Sequence, residues 1–233
     1  MEEKKDYRKE LFYEKKNGYD SMDAAAREAM EAYCEGYKAY LNDSRTEREA
    51  VANAIRLAER EGFVEYRAGM ELKAGDKVWF NNRGKALMLA VAGKKPLSEG
   101  AVVAAAHVDA PRLDLKQTPL YEDNELAFFK THYYGGIKKY QWTAIPLELH
   151  GVVATKDGEV IEVVIGREKD DPQFVISDLL PHLAADQMKK SLAEGIEGEK
   201  LNILIGSAAL RDDTGAEKVK IAIARLLFEK YGI

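Results

Sequence analysis

The stretch Ala101–His107, AVVAAAH, follows a glycine and runs through six consecutive apolar residues before its histidine. A short apolar run of this kind suits a strand covered on both faces, because a half-exposed strand alternates polar and apolar residues. Strands of that type occur in sheets flanked by helices, and helices are expected upstream. In residues 22–41, Ala24, Met30, Tyr33, Tyr37 and Leu41 recur at helical spacing, with Asp20 or Ser21 available as the cap. A second helix is expected over 47–61, where Thr46 and Glu49 have capping-box spacing and Gly62 is a stop. KVWF and KALMLAV, from Lys77 onward, flank the turn-forming NNRG and predict a hairpin. Together these features predict an α/β sheet with helical cover.

Past Pro111 the pattern changes. LDLKQTPL, LAFFKTHYY, TAIPLELHGVVAT and EVIEVVIG read as successive strands without helices between them, the last two joined by a Lys-Asp-Gly turn. A domain boundary is therefore expected near Arg112, with residues 1–111 forming one part and 112–233 a β-rich second part. Ser177 or Asp178 is expected to open a helix through about Leu192, with Pro181 in its first turn. LNILIG is a further strand, and 217–231 a further amphipathic helix. No internal repeat or low-complexity tract is evident.

Composition narrows the function classes. The chain has 233 residues, 46% hydrophobic and 32% charged, with a net charge of −5. This is the profile of a globular protein, without the basic footprint of a nucleic-acid binder. The apolar runs are too short to cross a bilayer, and the start, MEEKKDYRKEL, has no apolar h-region, so neither a membrane span nor a secretory signal is expected. The single cysteine, Cys34, excludes an internal disulfide and is expected to be a small, partly buried thiol; a cytoplasmic location follows as the expectation.

The residues that carry chemistry are His107 and Asp109. Residues two apart on a strand share a face, so an imidazole able to bind a metal would have a carboxylate beside it to fix its tautomer. The end of a sheet strand is also where α/β folds place their sites. A histidine hydrogen-bonded at a strand end, with no metal, fits the same spacing. Asp170-Asp171 and Asp212-Asp213 stand beside Pro172 and Thr214-Gly215, and turn formation is expected of both pairs. His132 and His150 are expected to serve packing or strand-surface roles.

The ordered motifs AAHVDAPRLDLKQTPLYED, THYYGGIKKYQW, IPLELHGVV and DPQFVISDLLPHLAADQ resemble the aspartyl-aminopeptidase family of dinuclear zinc peptidases, its bacterial branch above all, from about Leu57 to Ile233. The resemblance implies that His107 is a zinc ligand and Asp109 the carboxylate that orients it. It implies two zinc ions in the complete enzyme, with cobalt or manganese as alternatives, and a peptide substrate cut after its first, acidic residue. The β-rich part would be an inserted dimerisation domain, and the assembly a homo-oligomer built from dimers. His182, expected at a helix start, would lie near substrate. The family takes its bridging aspartate, glutamate base, other carboxylates and last histidine from a second half of the chain. This sequence is expected to carry the first half only and to be inactive alone. The competing expectation is a non-catalytic assembly module in which the half-site is a relic.

Overall fold

The computed structural model describes residues 6–233, so the first five residues of the polar amino-terminal stretch lie outside the described residues. Two compact units divide at Glu99/Gly100. The division falls before the expected boundary at Arg112, because the segment carrying His107 goes with the second unit.

The first unit begins with a short helix α1 (Tyr7–Leu11), followed by α2 (Ala24–Asn42) and α3 (Glu47–Arg60). Asp23, not Asp20 or Ser21, caps α2, accepting a hydrogen bond from Ala26 N at 2.7 Å. Thr46 and Glu49 form the capping box expected of α3, each side chain accepting from the other's backbone N–H. Asn53, buried on α3, donates to Asp43 O and Ser44 Oγ and so ties the α2–α3 connection down. The strands β1 (Val64–Glu65), β2 (Lys77–Asn82) and β3 (Ala86–Val91) form one sheet, with β1 parallel to β2 and β2–β3 the expected hairpin. Its loop places Arg83 and Gly84 at positive φ, the conformation that twists with the flanking strands. Cys34 is exposed on α2, not partly buried, because α2 has no buried residue in this unit.

The second unit carries the larger core. β4 (Arg112–Asp123) and β5 (Leu126–Tyr134) pair antiparallel through a two-residue turn, Asn124-Glu125, with both residues at positive φ. β6 (Leu149–Ala154) and β7 (Val160–Ile165) form a separate hairpin closed by the expected Lys-Asp-Gly turn. β8 (Ile203–Gly206) extends the first of these sheets beside β5, and α4 (Lys218–Tyr231) closes the unit. Phe129, Val163, Ile165, Phe174, Ile176, Leu201, Ile205 and Val219 meet in one buried cluster. Thr131, fully buried, donates to Leu201 O, and the Tyr231 hydroxyl bonds both the N–H and the carbonyl of Val164. The mixture of helices and sheets is the α/β class the sequence predicts.

Two expected elements are absent. Ala101–His107 is not a strand: it pairs with no other described segment, and Val102 and Val103 stand 103% and 82% exposed. A strand buried on both faces needs neighbours at both edges and cover on both faces, and none of the described strands supplies them. The helix expected over 178–192 is a series of turns with one short 3₁₀ segment, Gln187–Lys189. Its apolar side chains Leu180, Leu183, Met188 and Leu192 are exposed, and a helix of that length draws most of its stability from packing such a face. Among the described residues no helix is long and apolar enough to cross a membrane.

Candidate functional site

His107 lies in the unpaired segment between Gly100 and β4. Its Nδ1 stands 3.0 Å from Asp109 O and 3.1 Å from Asp109 Oδ1. The contact is a local fold-back onto one residue's carbonyl and carboxylate, not the same-face alternation of a strand. Both partners accept, so Nδ1 is the donor, and in the neutral ring that tautomer leaves the lone pair on Nε2. The ring is 82% exposed.

Asp109 is held from its other side. Its Oδ2 accepts a hydrogen bond from the Tyr134 hydroxyl at 2.9 Å. The Tyr134 hydrogen bond, then that of His107, then a backbone N–H stabilise the charged carboxylate and hold its pKa below the usual range. Tyr134 ends β5 opposite Arg112, whose guanidinium lies 4.2 Å over the tyrosine ring and whose Nε donates to Asp114 Oδ1 at 2.7 Å. Gly135 follows with φ 77°, turning the chain against Pro111. Tyr134 is a site residue that the sequence alone does not single out. Its place in THYYGG, one of the motifs carrying the family resemblance, was the one available signal; the pairing register that brings it to Asp109 is long-range.

The remaining candidates are dispersed. His182 sits exposed on a turn, not at a helix start, and no hydrogen bond or ion pair links it to His107 or Asp109. His132 Nδ1 lies 3.1 Å from Glu199 Oε1, a carboxylate also paired with Lys116. His150, with its side chain nearly buried, contacts Glu148 at 2.8 Å. Asp171 accepts from Gly166 N and Glu168 N, and Asp213 from Gly215 N, the turn roles expected of them. Among the described residues no three His, Cys, Asp or Glu side chains converge as a metal-binding group. The Nε2 of His107 is the donor type zinc takes from proteins and fits one coordination position.

A carboxylate holding one ring nitrogen of an exposed imidazole leaves the other free to face a ligand. The family described as "Aminopeptidase I zinc metalloprotease (M18)" matches residues 40–233, and the chain belongs to that family. A "Probable M18 family aminopeptidase 1" from Clostridium acetobutylicum is 47% identical over 228 residues, covering 96% of this chain and 49% of the relative. The crystal structure of an M18-family aminopeptidase from Thermotoga maritima superposes with a TM-score of 0.85 at 39% identity, covering 95% of this chain and 48% of that one. A structure of the S. cerevisiae mApe1 dodecamer shares the fold at 17% identity and TM-score 0.61, covering 88% of this chain and 45% of its own. The chain spans about half the length of the curated relatives it matches.

Proposed function

We propose that this chain supplies a zinc-ligating half-site of a metalloaminopeptidase that removes N-terminal residues, acidic ones by preference, from peptides. The observation carrying this reading is the His107 Nδ1–Asp109 Oδ1 contact at 3.1 Å, within the residues that match a zinc peptidase family. His107 would hold zinc through Nε2. Asp109 would keep the hydrogen on Nδ1 and the ring in one orientation, and metal affinity commonly depends on such a hold. When bound, a pair of zinc ions in such a site polarises the scissile carbonyl and lowers the pKa of a water. A base and the other ligands are not among the residues that converge here and would come from the part of the family's length that this chain does not span.

His182, exposed on its turn, is proposed to meet substrate in the assembled enzyme. The β-rich part, residues 112–233, is proposed as a dimerisation element of a homo-oligomer; support comes from the dodecameric yeast protein of the same fold. Without the other ligands, the chain would be an assembly module. The lack of a converging ligand group among the described residues favours that second reading for the chain on its own.

The test is zinc titration of the 15N-labelled chain. The reading expects zinc to perturb Nε2 of His107 first, and His107→Ala to remove that response. A zinc response confined to the other histidines overturns it.

A further inference from the structure

We infer that Tyr134 is a positioning residue for the metal-binding imidazole: its hydroxyl fixes the Asp109 carboxylate and, through it, the tautomer and direction of His107. The inference rests on the zinc-ligand reading of His107 and adds a residue outside the His-x-Asp pair.

The need for such a residue follows from where His107 sits. Its segment joins no sheet among the described residues, and its ring is largely exposed. The hydrogen bonds at Nδ1 come from a residue two positions away in the same unpaired segment. His107 and a backbone N–H restrain the carboxylate only from within its own segment; a hold from a separate element fixes its direction. Tyr134 holds it, at 2.9 Å, from a residue 25 positions along the chain.

Tyr134 is suited to the task because it is itself fixed. It pairs with Arg112 in the β4–β5 ladder, and the Arg112 guanidinium, anchored by Asp114, covers its ring. The Gly135 turn then sets the backbone against Pro111, where an added Cβ would already be 3.5 Å from the proline. Order thus passes from the hydrogen-bonded ladder to the ring, from its hydroxyl to Asp109, and from Asp109 to His107. Removing the hydroxyl leaves the Asp109 carboxylate free to turn toward water, and Nδ1 keeps only the Asp109 carbonyl as a dependable acceptor.

The experiment is a tautomer measurement on this chain, without metal. Long-range 1H–15N spectra at about pH 9, where histidines are neutral, report which nitrogen of each ring carries hydrogen. His182, exposed and without a hydrogen bond to His107 or Asp109 among the described residues, serves as the internal reference. Wild-type His107 is expected mainly in the Nδ1–H form. Tyr134→Phe keeps the ring beneath Arg112 and removes only the hydroxyl. It should raise the Nε2–H population of His107 about two- to fivefold, the scale of one net hydrogen bond shared with a remaining acceptor. Asp109→Ala should raise it at least as far, and unchanged His132, His150 and His182 signals certify the fold. A shift in Asp109→Ala without one in Tyr134→Phe overturns the role of Tyr134 and leaves the zinc-ligand reading standing. A wild-type His107 that matches His182, or an Asp109→Ala variant that matches wild type, overturns the orienting role of Asp109 and the inference with it.

Discussion

Helix α4 begins without a cap of its own. Glu217 precedes it in the left-handed region, and its side chain makes no capping bond. The cap comes from β4: Glu122 Oε2 accepts from Val219 N at 2.9 Å and from Lys220 N at 2.8 Å, across 97 and 98 residues. One carboxylate therefore satisfies two of the four orphan donors at the helix start and places a negative charge at the positive end of its dipole. Glu122→Ala removes both bonds. An N-cap loss costs about 0.5–2 kcal/mol, and a charged, part-buried, doubly engaged acceptor belongs at the upper end, about 2 kcal/mol. Glu122→Gln keeps an acceptor oxygen and loses the charge, so about 1 kcal/mol or less is expected. The assay is urea unfolding followed by Trp142 fluorescence in a Trp79→Phe background, so that the second unit alone is read. With a slope of about 2 kcal/mol/M, Glu122→Ala should lower the midpoint by about 1 M. Lys156→Ala, in the β6–β7 turn, is the surface control, expected within about 0.5 kcal/mol of wild type. A Glu122→Ala midpoint indistinguishable from that control refutes the capping argument.

Two further outcomes are expected. Asp171 is held below its usual pKa first by the Lys230 ammonium and then by the Glu168 and Gly166 N–H groups, so its contribution to stability is present above the ordinary carboxylate range and lost as pH falls through the depressed value. Asp171→Asn should therefore be less stable than wild type near neutrality and show a flatter loss in acid; an unchanged acid limb in pH-dependent urea melts contradicts this. A Cβ on Gly198 would sit 2.5 Å from Tyr133 Cε1. Gly198→Ala should destabilise by about 1–3 kcal/mol, as overpacking does, and the penalty should largely vanish in a Tyr133→Ala background, which a double-mutant cycle measures.

Local chemistry was readable from the sequence and long-range chemistry was not. The Thr46–Glu49 capping box, the Arg83-Gly84 hairpin and the Lys-Asp-Gly turn each need only residues a few positions apart, and all three are present. The strand expected at Ala101–His107 depends on neighbours that no described segment provides, and the helix expected at 178–192 depends on a surface to pack its leucines against. The apolar pattern records a need for burial without recording what meets it. The same division runs through the site. His107 and Asp109 are two apart and could be paired by inspection. Tyr134 reaches Asp109 only because β4 and β5 pair in one particular register, and Glu122 reaches α4 for the same kind of reason.

As proposed, His107 is one zinc ligand, Asp109 the carboxylate that orients it, and the rest of the catalytic site lies outside the residues that converge here. A catalytic zinc commonly takes about three protein ligands, and a two-metal site needs more plus a base. The direct measurement is metal content of the purified chain by mass spectrometry, together with turnover of an aspartyl- or glutamyl-chromophore substrate in the presence of zinc. Zinc well below one ion per chain and no turnover are expected. Two tightly held ions per chain with metal-dependent turnover would contradict this reading.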